Sequence, residues 1–361
     1  MQTYPVAYID ITALKHNLNM VKAFAPDSKV MSVIKANAYG HGDIRVAIAL
    51  EESDAFAVAR LSEGIHLRQA GIKKNIVLLE GVHDIEQLQL AAENGLSPVF
   101  HNQVQIDLLS DAELIRPLQF CWLMIETGMH RLGISTDSLP AAITTLRNSH
   151  KINGEIGVMT HFANADKPND CRNKSQMDNL LESKEAKNVT TAMANSAAII
   201  SLPGSHQQWI RPGVMLYGSS PFPDKTADGL GLKPVMKLAA QIIAIEQLQA
   251  GEQVGYGGDW QAQKEMKVGT VNIGYGDGYS RQLSNKGKVW VHNQLVDVLG
   301  RVSMDMICID LSSTNNVKIG DEVILWGIEE LQIDFIATYA NSISYELLCQ
   351  VNNRVVRQYD G

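Results

Sequence analysis

Short apolar runs recur through the first part of the chain, separated by stretches whose apolar positions follow a helical spacing. The runs fall at 30–34, 55–59, 75–79, 96–100, 118–125, 155–160, 189–194 and 209–217. Between them, helix-like patterns occupy 43–52, 62–70, 84–94, 103–111, 138–148 and 176–184. Capping residues punctuate several of these: Asp43, Ser62 with Gly71 behind it, and Asp84 with Gly95. Eight strand-like runs alternating with helices predict a parallel α/β fold, and eight is the number that closes a TIM-type (β/α)8 barrel. An open, doubly wound sheet is the alternative that this count disfavours.

The alternation ends at 225–233, where TADGLGLK reads as a linker. Strand-like runs then dominate, at 238–248, 288–292, 295–299, 306–311 and 322–326. Two of them flank Asn293-Gln294 like a hairpin, and only 334–340 has a helical pattern. The expectation is a barrel over 1–229 followed by a mainly-β C-terminal domain over 230–361.

Composition narrows the function classes. A formal net charge of −8 disfavours nucleic acid, which needs a concentrated basic surface. No window has the uncharged apolar length of a membrane span, and the start MQTYPVAYIDITALKHN lacks the pattern of a secretory signal. Cys121, Cys171, Cys308 and Cys349 follow no C-x-x-C or metal-ligand spacing, which fits reduced thiols in a cytoplasmic protein without a metal site.

Chemistry concentrates at the ends of the strand-like runs. The first ends in Lys35 with Tyr39 close behind, the fifth leads into TGMHR and Arg131, and the sixth into His161. The seventh leads to Asn195-Ser196, and the eighth carries Arg211-Pro212-Gly213-Val214. In a barrel all these ends face one mouth. Singly, each has a bland reading: Lys35 a solvated loop residue, Ser196 a helix cap, His161 a core imidazole, the arginines surface ion-pair partners. As a set they point to a phosphate-bearing cofactor with an amine-reactive carbonyl. A hydroxyl at a helix start and a glycine backbone both admit close approach of an anion. GYGGDW and GYGDGY imitate nucleotide loops, but neither leads into a helix.

In order along the chain, VIKANAYGHG, TGMHRLG, MTHFANAD, ANSAA, RPGVMLYG, VGYGG, GYGDGY, RVSMDM and ISYE resemble the motifs of bacterial alanine racemases of fold-type III. The resemblance covers nearly the whole chain. It implies pyridoxal 5'-phosphate as cofactor and L- and D-alanine as substrates. It also implies a head-to-tail homodimer that supplies D-alanine for peptidoglycan precursors. On the matching positions, Lys35 resembles the lysine that holds the cofactor covalently. Tyr39, Ser196, Gly213, Val214 and Tyr345 resemble the phosphate-binding set. Arg211 resembles the arginine facing the pyridine nitrogen, with His161 behind it. Tyr256 resembles the second catalytic base, and Arg131, Tyr275 and Met304 resemble the groups around the substrate carboxylate. Tyr256, Tyr275 and Met304 are expected to serve the partner subunit's barrel.

The chemistry explains why these residue types are needed. Racemisation removes a proton from one face of Cα and returns one to the other, so two acid/bases must flank it. Lysine and tyrosine ordinarily titrate at about 10.4 and about 10, so each must be lowered to act near neutrality. Arginine, with a pKa above about 12, hydrogen-bonds a ring nitrogen without protonating it. That weakens the electron sink and limits side reactions. It also disfavours a decarboxylase of the same fold class, in which a carboxylate faces the ring. The second domain and Tyr256 disfavour a non-catalytic cofactor carrier. Three positions depart from the common pattern. Met124 stands where many relatives have a lysine that orients the arginine matching Arg131, so Arg131 is expected to be held by an anion or another side chain. Ser303 replaces a frequent cysteine, and GYGDGY carries a glycine for a commoner alanine.

Overall fold

The computed structural model describes residues 4–361. Eight parallel strands close a barrel: Lys29–Val33, Ala55–Val58, Asn75–Leu78, Ser97–Phe100, Leu118–Met124, Ile152–Met159, Thr190–Ala192 and Trp209–Ile210. Closure is direct, with Lys29 paired to Trp209 and Val30 to Ile210, so the open-sheet alternative is excluded. Strands covered by helices outside and side chains inside are buried on both faces. Ala55–Val58 and Ser97–Phe100 are accordingly buried at every position.

The predicted helices are present between the strands, with two caps displaced. Asp84 does cap its helix, accepting from Gln87 N. The helix expected to open at Ser62 instead runs Leu61–Gln69, and the Glu63 carboxylate accepts from Arg60 N at 2.9 Å and Ala59 N at 2.8 Å. The helix expected to open on Asp43 has Gly42 at its N-cap, with Asp43 in the first turn.

The apolar run 209–217 is strand only at Trp209–Ile210. Pro212 has no N–H to extend a ladder, and the chain turns at Gly213 into a 3-10 helix, Val214–Tyr217. This break puts Arg211 and Gly213 at the barrel mouth.

The right-handed α-helices Ile11–Phe24 and Ser344–Gln350 and the strands Val6–Asp10, Gln253–Val254, Trp260–Gln261, Met266–Val271 and Val356–Asp360 lie outside the predicted set. Ile11–Phe24 is an α-helix capped by Asp10, with Ile11, Leu14, Leu18 and Val21 buried at helical spacing. Ser344–Gln350 is helical and buries Leu347 and Leu348. Val6–Asp10 pairs antiparallel with Met236–Leu248 and parallel with Val356–Asp360, so both ends of the chain enter the second sheet.

In that sheet, Met236–Leu248 pairs with both Met266–Val271 and Glu322–Trp326. Pairings through Ile307–Asp310, Gln294–Leu299 and Lys288–Val291 return to Glu322–Trp326 and complete a ring of strands. The hairpin turn is His292-Asn293 rather than Asn293-Gln294. Val291 pairs with Gln294, and the two turn residues take φ 47° and 61°, the positive values that a tight hairpin twist requires.

The C-terminal segment matters most for the site. Ser344–Gln350 packs so closely on the loop after the first barrel strand that a Cβ on Gly40 would sit 2.2 Å from Leu348 O. Gly40 also has φ +81°, so both space and conformation demand glycine there.

Candidate active site

The first barrel strand delivers Lys35 to the mouth through an unusual backbone. Ala36, Asn37, Ala38 and Tyr39 have φ of 54°, 54°, 51° and 52°, a left-handed turn made without glycine. Each such residue costs roughly 1–2 kcal/mol, so the turn persists only because its polar groups are committed elsewhere. Ala38 N donates to Ile34 O and Gly40 N to Ala36 O, both at 3.0 Å. Ala36 N donates to Glu63 Oε1 at 2.6 Å, and Asp43 N to Asn37 Oδ1 at 3.0 Å. From the C-terminal strand, Arg357 Nε donates to Gly40 O at 2.8 Å and the Tyr359 hydroxyl to His41 O at 3.0 Å.

The turn aims Lys35 into a cavity of about 750 Å³ and folds Tyr39 back along its wall. Tyr39 stacks on Tyr217 with ring centroids 4.7 Å apart, and Tyr217 in turn donates to Val33 O at 2.9 Å. His41 is fully buried beside Tyr217, one ring nitrogen meeting Tyr39 O at 2.9 Å and the other without a partner.

One end of the cavity is a cradle of donors. Ser196, after the seventh strand, accepts from Gly213 N at 2.9 Å through its Oγ. A Cβ on Gly213 would lie 2.7 Å from the Tyr39 hydroxyl oxygen and 3.9 Å from Ser196 Oγ. Two hydroxyls thus converge on one bare glycine. Val214 and Tyr345 also line the cavity, and the Tyr345 ring lies 6.2 Å from that of Tyr39. Burial raises the pKa of both tyrosines, which leaves their hydroxyls protonated as donors. This is the pattern a phosphate requires.

The other end is cationic. Arg211 is buried, with Nη2 donating to Thr160 O at 2.5 Å and Met193 O at 3.2 Å. Its Nη1 is buried without a partner, a donor awaiting an acceptor. Burial lowers Arg211 to about 10, still protonated at neutral pH. His161 is pushed down to about 3 by burial and by Arg211, Arg131 and Lys35, so its imidazole is neutral. Lys35 is lowered by burial and then by Arg131, against opposing contributions from Glu63, Cys349 and Glu80. The phosphate cradle and the orphaned Arg211 donor together fit pyridoxal phosphate, with Lys35 supplying the amine.

Arg131 lines the same cavity, beside the buried Met124. Among the described residues its guanidinium makes no hydrogen bond or ion pair; its loop is held through the backbone instead. The Glu126 carboxylate accepts from Gly128 N, and the backbone N–H groups of His130 and Arg131 help hold its pKa below the usual carboxylate value. Gln176 links this loop to the one bearing His161, donating to Thr127 Oγ1 at 3.3 Å and His161 O at 2.9 Å and accepting from Ala163 N at 3.0 Å. Asn179 adds a bond to Thr127 O at 3.0 Å. Glu63, Glu126, Gln176 and Cys349 are site residues that no strand-end pattern marks. Glu63 and Gln176 read in the sequence only as polar residues of helix-like stretches, a signal too general to mark them.

Tyr256, Tyr275 and Met304 do not line this cavity. They stand on the second domain with exposures of 70%, 44% and 53%. Tyr275 and Met304 are neighbours, since Tyr275 N donates to Ser303 O at 3.0 Å and Gly276 N to Met304 O at 2.8 Å. Tyr256 follows Gly255, whose φ is 70°, and precedes two further positive-φ glycines.

Comparison with known proteins gives a consistent picture. Residues 9–221 match the family profile described as alanine racemase, N-terminal domain, and 235–359 the corresponding C-terminal domain. The alanine racemase of Nitrosococcus oceani is 46% identical, the match covering 98% of this chain and 99% of the relative. That of Aeromonas hydrophila is 42% identical with the same coverage. The solved biosynthetic alanine racemase of Pseudomonas aeruginosa superposes with a TM-score of 0.94 at 39% identity, covering 99% of this chain and 100% of that one. That of Acinetobacter baumannii gives 0.91 at 40%, with the same coverage.

Two outcomes follow from this geometry. Gly213→Ala puts a methyl group against the Tyr39 hydroxyl, whose ring is wedged by Tyr217 and cannot retreat. Pyridoxal phosphate should then bind at least about tenfold more weakly in an absorbance titration, and unchanged affinity would contradict the cradle. His41 is held neutral down to about pH 4 in the fold against an ordinary 6.5. The unfolded chain therefore takes up that proton first, and stability present above 6.5 is lost as pH falls toward 4, with a slope of about 1.4 kcal/mol per pH unit. In denaturant unfolding, His41→Gln should flatten the acid dependence by about that slope; an unaltered slope would count against it.

Proposed function

The chain belongs to the alanine racemase family, and from that premise we propose how its residues divide the work. It interconverts L-alanine and D-alanine with pyridoxal 5'-phosphate as cofactor. We further propose that it works in the cytoplasm, supplying D-alanine for peptidoglycan precursors. Among the described residues no helix is long and apolar enough to cross a membrane.

When bound, pyridoxal phosphate supplies the electron sink that makes the α-proton of alanine removable. The residues of the chain do the rest. Lys35 is the covalent attachment point and the proton carrier on one face of Cα. Burial and the Arg131 charge lower its pKa, which favours the neutral amine that a base needs. Tyr39, Ser196, Gly213, Val214 and Tyr345 hold the phosphate, fixing the ring so that Lys35 approaches one side only. Arg211 gives its free Nη1 donor to the ring nitrogen and keeps its own proton. The neutral His161 stands beside it without adding charge. Arg131 takes the substrate carboxylate, its unpaired guanidinium being the counter-charge.

The opposite face of Cα needs a second proton carrier across from Lys35. Tyr256 is the reading we favour, delivered with Tyr275 and Met304 by the partner subunit in a head-to-tail homodimer. The observation that carries this is their exposure on the second domain, outside the cavity of their own chain. A decarboxylase reading is weaker, because among the described residues Arg211 bonds backbone carbonyls and no carboxylate.

Co-expression of Lys35→Ala with Tyr256→Phe tests the shared site. If each cavity takes Lys35 from one chain and Tyr256 from the other, every mixed dimer holds one intact site. Random pairing then restores about a quarter of wild-type racemisation, followed by circular dichroism of L- and of D-alanine. Activity no higher than that of the separate variants would contradict the arrangement.

A further inference from the structure

The roles proposed above belong to side chains that would meet the cofactor or substrate, yet the direction of Lys35 is decided one residue later, at the Ala36 amide. The left-handed turn leaves that N–H without a backbone acceptor, as at any helix start. Glu63 reaches across from the helix after the second barrel strand and takes it at 2.6 Å through Oε1. Its other oxygen takes Ala59 N and Arg60 N at 2.8 and 2.9 Å. One carboxylate therefore ties the end of the first barrel strand to the end of the second, and it has no ion-pair partner among the described residues.

We propose that Glu63 is a positioning residue for Lys35: its carboxylate locks the left-handed turn that aims the amine, and its charge offsets the cationic lining of the cavity. The second half rests on the reading of Lys35 as the cofactor-bearing amine; the first half does not. Titratable groups face Lys35 from several sides of the mouth. Arg131 comes from the loop after the fifth strand, Glu80 from the end of the third, Cys349 from the helix Ser344–Gln350, and the neutral His161 from the sixth. Glu63 is the largest of the contributions that favour the protonated form. Without it Lys35 and the atom it bears hold a proton less tightly.

Two variants separate geometry from charge. Glu63→Gln keeps one acceptor oxygen and loses the charge, whereas Glu63→Ala loses both. Hydrogen exchange on the holoenzyme should show the Ala36 amide opening roughly tenfold faster in Glu63→Ala, less in Glu63→Gln, with the Val58 amide unchanged in both. The pH midpoint of the cofactor's visible absorption change should move to lower pH in both variants. Unchanged Ala36 exchange with an unmoved midpoint would overturn the proposal. So would equal acceleration of Ala36 and Val58 with an unmoved midpoint, since Glu63 would then only support the barrel. A wild-type protein that binds the cofactor without any lysine-linked band would instead overturn the assignment of Lys35, while the exchange result would still judge the lock.

Discussion

Four consecutive side-chain-bearing residues held in the left-handed region, Ala36–Tyr39, are the constraint on which the site depends. A right-handed continuation from Ile34 would carry Lys35 and Tyr39 to different places. The left-handed one sets the amine in the cavity and the phenol on its wall. The cost of that backbone is offset by bonds from distant parts of the chain. Glu63 comes from the second barrel unit, and Arg357 and Tyr359 come from the last strand. Arg357 also holds Val351 O, Asn352 O and Val355 O, so the same guanidinium fixes the segment after the helix that carries Tyr345 and Cys349. The second domain thus helps build the barrel's mouth from within one chain.

Electrostatics gives the cavity its chemical character. The protein as a whole is acidic, with a net charge of −8, but Lys35, Arg131 and Arg211 line one cavity, with Glu80, Glu126 and Asp166 also in its wall. Desolvation and mutual repulsion act in the same direction on the groups among them. They push Lys35 and His161 toward their neutral forms, while Arg211 stays charged. An anionic ligand relieves this repulsion at both ends, through a phosphate at the Ser196–Gly213 cradle and a carboxylate at Arg131. Met124 in place of an orienting lysine leaves the Arg131 loop to Glu126, Gln176 and Asn179. Those groups fix backbone rather than guanidinium.

The barrel is legible in the sequence because strands buried on both faces read as unbroken apolar runs at regular spacing. Strand-end residues then converge by topology alone, which is why Lys35, His161, Ser196, Arg211 and Gly213 are found together. The helix Ile11–Phe24 carries a full set of signals, Asp10 as cap and four apolar residues in phase. It lies before the first barrel strand, where the alternation provides no place for it. In KANAY only Asn37 has a leaning toward the left-handed region, so the hand of the four-residue turn is fixed by tertiary bonds that no local pattern contains. Glu63 reads as an ordinary charged helix residue for the same reason. Tyr256, Tyr275 and Met304 are marked by motif resemblance alone, because within one chain nothing brings them to the cavity.

The central claim is that the amine of one lysine, presented by this turn, carries the cofactor. Borohydride reduction of the loaded enzyme, followed by proteolysis and mass mapping, tests it most directly. The account predicts one stoichiometric pyridoxyl adduct, on Lys35. An adduct on any other lysine, or none with the cofactor bound, would contradict it.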